Sequence, residues 1–359
     1  MVQDHRVEQD RGAGQPVEAD APRETPGARA DLEMRAERLP AGHPSSPFHD
    51  DGSRKPPPPD LTELELPLPD EPGFHDQDST TRVEPLTSAE YAERVREIQD
   101  KLDRALAEGE STEYQYTVDP DHEVWTDSRR ALHDEIVNDL YERAENVPNE
   151  HEAIMAGGPT GAGKSTVLGN YADIDRSRFL TIDPDDIKKE LAQRSMVPKI
   201  EGLSPMEASS LVHEESSHIA KLLAQHAYAE GKNVIWDITM SRKSSTEQRI
   251  GDMRAAGYTR IEGILVDIPP KVSEARAAAR HIVGQRDYDM GKGEGGRFVP
   301  PEPIRAQADP TWGSINRKNF EEVKHLFDAW SVYDNSTDGR PPVLIDSSEM
   351  RRRLDDKRS

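Results

Sequence analysis

A phosphate-binding motif lies near the middle of the chain. It is the run Gly158-Pro159-Thr160-Gly161-Ala162-Gly163-Lys164-Ser165-Thr166, which fits the pattern G-x-x-x-x-G-K-[ST]. Glycines let successive backbone N–H groups close around phosphate oxygens, because no Cβ stands in the way. Lys164 would supply a positive charge to the β- and γ-phosphates, and Ser165 a hydroxyl to Mg²⁺. The motif therefore predicts a site for a nucleoside triphosphate with magnesium.

The residues on either side of the motif suit this chemistry. Ala153-Ile154-Met155-Ala156 has the apolar character of a buried strand, and the residues from Thr166 to Tyr171 open a helix. A strand, a glycine-rich loop and a helix in this order place the phosphates at the helix N-terminus, where the dipole favours negative charge.

Acidic residues follow two further predicted strands. The second strand ends in Ile182-Asp183-Pro184-Asp185-Asp186, and the third carries Asp237 at the end of an apolar run. A carboxylate such as Asp185 at this end of the sheet could accept the proton of an attacking hydroxyl. Asp237 occupies the Walker B position, where an Asp binds Mg²⁺ through water. Helix capping accounts equally well for the first group. Asp237 could instead be a buried structural residue, so both alternatives stay open.

A segment rich in glycine and arginine follows the fourth predicted strand. It contains Arg276, Arg280, Arg286, Gly291, Gly293, Gly295-Gly296-Arg297 and Pro300-Pro301. Phosphoryl transfer needs cations around the transferring group and a segment that closes to exclude water. We interpret this segment as a mobile lid, although any one arginine could instead belong to a solvated helix.

The hydrophobic pattern predicts alternating strands and helices after residue 150. The predicted strands are 152–156, 178–182, 233–238, 261–267 and 342–346, and the predicted helices lie near 165–172, 185–194, 207–230, 244–256, 271–283 and 315–328. Apolar strands that alternate with crossover helices indicate a parallel sheet covered on both faces. The predicted fold class is α/β, with a doubly wound, mostly parallel sheet of the P-loop NTPase and kinase type.

The composition of the first 85 residues differs from the rest. Of the 28 prolines in the chain, 14 precede residue 90, and four of these are consecutive. Such a segment cannot bury enough apolar surface to offset its ordering entropy. We predict a disordered, acidic, Pro-rich arm at 1–85, a helical linker or regulatory element at 86–124, a kinase domain at 125–347 and a charged tail at 348–359. Amphipathic helices are expected at about 88–108 and 128–146.

Charge and composition exclude several classes of function. The formal net charge of −23 argues against general binding to nucleic acid or to anionic membranes. The chain has no cysteine, which excludes disulfides, thiolate metal sites and cysteine nucleophiles. It has neither a stretch of roughly 20 apolar residues nor the layout of a signal peptide. We therefore expect a cytoplasmic site of action, and export without a signal peptide stays open.

Two further patterns bear on the metal and the nucleotide that the chain could bind. His213 and His218 are five residues apart, whereas a zinc-binding helix needs a spacing of four, so no zinc site is predicted. The chain lacks an Asn/Thr-Lys-x-Asp motif after the phosphate loop, which argues against a GTPase. ATP with Mg²⁺ is the expected phosphate donor.

The motifs, in this order, resemble those of the zeta toxin family, P-loop kinases that act on the sugar 3′-hydroxyl of UDP-N-acetylglucosamine. The resemblance covers about residues 125–347 and includes Gly295-Gly296-Arg297-Phe298-Val299-Pro300 and Val332-Tyr333-Asp334-Asn335-Ser336. It implies that Lys164 binds phosphate and that Asp185 is the general base for the sugar hydroxyl. It further implies that Asp237 and Thr239 line the substrate or metal site. Better-known members have Glu at the position of Asp237, which puts direct substrate contact there in doubt.

The resemblance also assigns the lid and one more acid. Arg297 would be the second lid arginine, and the first would be Arg280 or Arg286. A further acid at the substrate would be Glu214 or Glu215.

In this family the phosphorylated UDP-sugar starves cell-wall synthesis, and a small helical antitoxin blocks the nucleotide site. The resemblance thus implies a UDP-sugar substrate and an antitoxin or immunity protein as partner. The predicted helix at 88–108 could instead inhibit the kinase in cis. Two other functions stay open: a polynucleotide 5′-hydroxyl kinase, which would need a basic groove, and a non-catalytic ATP-binding interaction module.

Overall fold

The computed structural model describes residues 88–356; the predicted arm at 1–85 and the last three residues of the predicted tail lie outside this range. The helices are α1 Ser88–Ala107, α2 Thr112–Tyr116, α3 Asp127–Glu142, α4 Lys164–Asn170, α5 Pro184–Gln193, α6 His213–Glu230, α7 Lys243–Ala255, α8 Pro270–Asp289, α9 Pro301–Arg305, α10 Ile315–Val323 and α11 Ser348–Asp356. The strands are β1 Glu152–Gly157, β2 Leu180–Ile182, β3 Val234–Asp237, β4 Arg260–Asp267, β5 Ala308–Asp309, β6 Gly313–Ser314, β7 Ala329–Asp334 and β8 Val343–Ser347. Short 3₁₀ helices cover Arg176–Arg178, Glu207–Val212 and Lys324–Leu326.

Six of the strands form one central sheet in the order β2-β3-β1-β4-β7-β8. The neighbouring pairs from β2 to β7 are parallel, which confirms the predicted fold class of a mostly parallel α/β sheet. The expectation that the strand at 342–346 would also be parallel is wrong, because β8 runs antiparallel to β7. The connection between them, residues 335–342, is too short for a parallel crossover, which needs a dozen residues or more.

One central strand was missed by the sequence analysis. The residues of β7 read Ala-Trp-Ser-Val-Tyr-Asp, and only Val332 and Tyr333 are buried. This pattern is neither continuously apolar nor strictly alternating, so it carries no clear strand signal. The predicted helix at 315–328 also extended too far, since α10 ends at Val323 and a 3₁₀ turn follows.

The first helix is part of the main hydrophobic core. Its buried residues are Ala92, Val95, Ile98, Leu102 and Ala105. They belong to the same apolar cluster as residues of the central strands, among them Met155 of β1 and Leu265 of β4. The segment interpreted as a linker is therefore packed onto the sheet domain over the length of α1. None of the helices between residues 88 and 356 is long and apolar enough to cross a membrane.

A buried ion pair fastens α3 to α6. The Arg129 guanidinium donates to Glu215 at 2.5 and 2.8 Å, and His133 Nε2 lies 2.8 Å from the same carboxylate. Burial alone would raise the pKa of Glu215, but the hydrogen bonds from His133 and Arg129 outweigh it and lower that pKa. Glu215, one of the two acids suggested for the substrate site, therefore has its partners in the core.

Replacing Arg129 should destabilise the fold strongly. In Arg129→Met the charge of Glu215 stays buried without its guanidinium, and we expect the free energy of unfolding to fall by about 3–5 kcal/mol. Arg130→Met is the matched control, because Arg130 and its partner Asp127 are both exposed. That change should cost less than about 1 kcal/mol. Urea denaturation of both variants measures the free energies of unfolding. Equal losses of stability would show that the buried pair contributes no more than an exposed one.

Candidate functional site

The loop between β1 and α4 closes through glycines with left-handed backbone. Gly158, Gly161 and Gly163 have φ values of +143°, +74° and +81°. A Cβ on Gly158 would overlap the carbonyl oxygen of Val266, and one on Gly163 would lie 2.5 Å from Nδ2 of Asn335. These positions therefore need glycine both for their dihedral angles and for the close approach of neighbouring groups.

Side chains from outside the loop hold its carbonyl groups. These hydrogen bonds join Ser273 Oγ to Thr160 O at 2.6 Å, Arg276 Nη1 to Gly161 O at 3.2 Å and Asn335 Nδ2 to Ala162 O at 2.8 Å. A trans peptide carries its C=O and N–H on opposite sides, so the amide groups of the same peptides face away from these donors. The Ala162 N–H donates within the loop to Pro159 O at 3.1 Å, which leaves the N–H groups of Gly161 and Gly163 for a bound anion.

Two of these loop-holding residues were not foreseen. Ser273 was not singled out, and Arg276 was grouped with the lid cations. Arg276 instead bonds the loop, donates to the carbonyl of Asn335 at 2.8 Å and pairs with Asp338 at 2.6 Å. The signal that could have found them is their spacing of three residues on one helix face.

Lys164 lies in the first turn of α4 and points across the loop. Its Nζ is 3.1 Å from the carbonyl oxygen of Gly158 and 3.3 Å from Oδ1 of Asp237. Asp237 ends β3 opposite Ala156 of β1 in the parallel register. The side chains of Lys164 and Asp237 therefore meet at the carboxyl edge of the sheet. Burial raises the pKa of Asp237, and the charge of Lys164 partly offsets that rise.

Asp183 and Asp185 share one helix start but have different surroundings. Asp183 caps α5, because its Oδ1 accepts a hydrogen bond from the backbone N–H of Asp185 at 2.8 Å. Burial, followed by repulsion from Asp237 and Asp185, raises the pKa of Asp183 to about 7. The capping alternative therefore holds for Asp183, while the side chain of Asp185 is directed elsewhere.

Asp185 is an ionised carboxylate held between cations. It pairs with Arg297 through Oδ2, and Lys188 Nζ lies 3.5 Å from Oδ1. Burial alone would raise the pKa of Asp185, but Arg297, Lys188 and Lys164 outweigh it and hold the pKa at about 2. Such a group accepts hydrogen bonds at all physiological pH values, and it can contribute through position rather than basicity.

Of the two alternative lid arginines, Arg280 lies near enough to Asp185 for its charge to lower the pKa of that carboxyl. Its surroundings lower the pKa of Arg280, first through desolvation and then through the charge of Arg297; Asp185 and Asp183 act in the opposite direction. Arg280 is nevertheless an exposed residue. Arg286 is exposed six residues further along α8, about 9 Å along the helix axis.

The segment interpreted as a mobile lid is packed where it carries Arg297. Residues 294–300 are partly or fully buried, and the Met206 N–H donates to the carbonyl of Glu294 at 3.0 Å. Only the preceding tip is open, since a Cβ on Gly291 or Gly293 would meet no atom within 4 Å. In this structure the arginine-bearing end of the segment is packed, and its role as a lid remains a prediction.

The remaining predicted substrate residues are Thr239 and Glu214, which contact other residues. Thr239 follows β3, with its hydroxyl 3.0 Å from Ser241 Oγ and its carbonyl bound by Asn316 at 2.7 Å. Glu214 lies in the first turn of α6 with 40% of its side chain exposed, 4.0 Å from His213 Nε2.

The charges of the site fit a divalent cation. Asp185 raises the pKa of both Asp183 and Asp237, and Asp237 also raises that of Asp183, so a further cation beside these two acids would relieve the repulsion. Ser165 follows Lys164 in α4 and could add its hydroxyl. Within residues 88–356 no three acidic or histidine side chains form a metal cage. A Mg²⁺ ion held by Asp237 and Ser165 would therefore take its other ligands from water and phosphate.

Comparison with known proteins points to one family. The zeta toxin family model matches residues 138–338, more than half of the chain. A solved structure from the PezAT chromosomal toxin–antitoxin system of Streptococcus pneumoniae is 15% identical, with 63% of this chain and 83% of that chain covered and a TM-score of 0.43. The complex AvrRxo1-ORF1:AvrRxo1-ORF2 with sulphate ions is 18% identical, with 68% and 81% covered and a TM-score of 0.47. A search of curated proteins found no match.

A methyl group on the phosphate loop should abolish most of its affinity for ATP. In Gly163→Ala the new Cβ would strain a left-handed residue and push against Asn335, and we expect ATP·Mg²⁺ to bind at least about tenfold more weakly. Gly313→Ala is the control, because Gly313 also has a positive φ, +79°, but open space around it. Isothermal titration calorimetry compares the two; similar affinities would argue against nucleotide binding by this loop.

Proposed function

This chain belongs to the zeta toxin family of kinase-type toxins, and from that premise we propose that it phosphorylates the sugar 3′-hydroxyl of UDP-N-acetylglucosamine with ATP and Mg²⁺. The acceptor is taken from the family resemblance. The residues of the site support the phosphoryl-transfer chemistry, as follows.

The observation that carries the proposal is the meeting of four side chains at one edge of the sheet. Lys164 lies at the loop that would hold the phosphates, and Asp185 lies across from it at the start of α5. Arg297 pairs with Asp185, and the charge of Arg280 also acts on this carboxylate. A lysine at the phosphate loop, a carboxylate and two arginines near that carboxylate are the parts that phosphoryl transfer needs.

The loop N–H groups and Lys164 would bind the β- and γ-phosphates of ATP. Bound Mg²⁺ would neutralise part of the phosphate charge and orient it. Arg297 now neutralises Asp185, and the incoming γ-phosphate, with its greater charge, would compete for this guanidinium. Asp185 would then be available to the acceptor hydroxyl. As the new O–P bond forms and the bond to ADP breaks, the hydroxyl proton passes to Asp185.

Asp237 is better suited to the metal than to the sugar. Its carboxylate faces Lys164 at 3.3 Å, on the phosphate side of the site. An Asp is one methylene shorter than the Glu of better-known members, which keeps the carboxylate closer to β3. We therefore propose that Asp237, with Ser165, binds Mg²⁺, and that Thr239 lies nearer the sugar.

The broader setting follows from the family and not from the geometry. We propose that a small helical antitoxin or immunity protein restrains the kinase. We further propose that the kinase acts in the cytoplasm. The division into an arm at 1–85, a linker at 86–124, a kinase domain at 125–347 and a tail also remains a prediction.

Mass spectrometry of a reaction with ATP, Mg²⁺ and UDP-N-acetylglucosamine tests the function. We expect a sugar nucleotide heavier by one phosphoryl group. Lys164→Ala and Asp185→Ala should lower the rate by about 10²–10⁴-fold, because each removes a group that acts in the transition state. Asp186→Ala is the matched control, since Asp186 lies in the same helical turn but is exposed and pairs with exposed Lys189.

The outcomes separate the donor site from the acceptor. Bound ATP without a product would discard UDP-N-acetylglucosamine and direct the search to other hydroxyls, beginning with polynucleotide 5′ ends. No ATP binding would refute the kinase itself. Turnover near the wild-type rate in Asp185→Ala would transfer the role of base to Asp183.

The pH dependence of kcat/KM distinguishes these two bases, because it reports pKa values of the free enzyme. A base must be deprotonated, so activity is lost as the pH falls below its pKa. With Asp185, whose pKa is about 2, kcat/KM should not decline between pH 8 and pH 5 through titration of the base. With Asp183, whose pKa is about 7, kcat/KM should fall about tenfold per pH unit below 7. We expect the first profile.

A further inference from the structure

A buried carboxylate outside the phosphate site joins three separate elements. Glu207 begins the 3₁₀ helix before α6, and its side chain is fully buried. It contacts Arg94 of α1 and His281 of α8, and His281 in turn contacts Tyr91 of α1. We call Tyr91, Arg94, Glu207 and His281 the Glu207 cluster.

The hydrogen bonds of Glu207 are complete. Arg94 Nη2 lies 2.9 Å from both carboxylate oxygens, and the Ser204 N–H donates at 2.9 Å. His281 Nε2 lies 3.1 Å from Oε1. Burial alone would raise the pKa of Glu207, but the bonds from His281, Ser204 and Arg94 lower it. A buried charge with this many partners is stable only while all the partners stay in place.

The Glu207 cluster lies next in the chain to Arg280 and contacts the residue that follows Arg297. His281 directly follows Arg280 in α8. Its ring packs edge-on against Phe298, the residue after Arg297, with ring centroids 5.6 Å apart. A shift of His281 would therefore displace both arginines together.

Close backbone packing transmits this constraint. A Cβ on Gly296 would overlap the carbonyl of His281, and one on Gly284 would lie 2.6 Å from Gly296 Cα. The Met206 N–H also holds the carbonyl of Glu294 at 3.0 Å. The arginine-bearing segment is thus in contact with both α8 and the turn before Glu207.

We propose that the Glu207 cluster positions Arg280 and Arg297 over the phosphate site, so that α1 is a required part of the kinase and not an inhibitory element. The catalytic consequence rests on the proposed function, whereas the positioning itself does not. The two roles for α1 predict opposite changes in turnover when α1 is loosened. Loosening an inhibitor would raise turnover, whereas loosening a positioning element lowers it.

Arg94→Met breaks the cluster from the α1 side and keeps the aliphatic stem of the side chain. Glu97→Gln is the matched control, because Glu97 pairs with Arg94 and Lys101 on the exposed face of the same helix and does not contact Glu207. Tyr91→Phe is a milder second variant, which removes only the hydroxyl that reaches His281. Arg94→Lys keeps the charge and should therefore show a smaller effect than Arg94→Met.

Hydrogen–deuterium exchange of the full chain measures the positioning without any acceptor. In Arg94→Met we expect the Met206 amide and peptides covering 294–299 to exchange about tenfold faster, while peptides of α10 and β7 are unchanged. Tyr91→Phe should change in the same direction by less. Exchange at 294–299 equal to that of Glu97→Gln, or faster exchange throughout the chain, would overturn the proposal.

Turnover measures the consequence for the reaction. We expect kcat of Arg94→Met to fall about tenfold or more, with KM for ATP changed less than about threefold, because the loop that binds ATP is untouched. Higher turnover in Arg94→Met would establish α1 as an inhibitor and overturn the positioning role. If the wild type makes no product, the proposed function fails, and the exchange experiment still decides whether the cluster holds the segment.

Discussion

The site depends on partly burying several carboxylates at the carboxyl edge of a parallel sheet. Asp183, Asp185 and Asp237 lie at the ends of β2 and β3, where their charges repel one another. Without cations this arrangement would be costly, since a buried charge needs a partner. Lys164 meets Asp237 and Arg297 meets Asp185, so the phosphate loop and the arginine-bearing segment are both drawn to the same edge. A bound triphosphate and acceptor would replace the present ion-pair partners of these side chains. The charged groups of the site are therefore in place before either of them binds.

Helix α8 connects the two cationic parts of the site. Its first turns brace the phosphate loop through Ser273 and Arg276, and its middle carries Arg280 and then His281. Since a helix is rigid over three turns, the loop and the arginine-bearing segment share one frame. His281 extends this frame to α1 through the buried Glu207. The described domain therefore couples its N-terminal helix to its chemistry through packed and fully paired side chains.

The sequence was informative wherever a local rule decided the structure. The phosphate loop, the helix start at Asp183-Pro184 and the acid at the end of β3 each depend on a few consecutive residues, and all three lie where they were expected. Local rules failed for β7, whose residues Ala329–Asp334 become a strand because β4 and β8 pair with it on both sides. They also assigned Arg276 to the lid, although its contacts are with the loop.

What the sequence determined by itself is the class of chemistry and the order of elements, because glycine dihedrals, capping and strand periodicity act over a few residues. Tertiary structure alone decided which charges meet. Arg280 acts electrostatically on Asp185, Glu215 pairs with Arg129 in the core, and Glu207 binds a helix more than a hundred residues earlier. These choices depend on distances between segments far apart in the chain, and no spacing within one segment encodes them. The low pKa of Asp185 and the high pKa of Asp183 differ for the same reason: only packing determines which of two neighbouring acids receives the arginine.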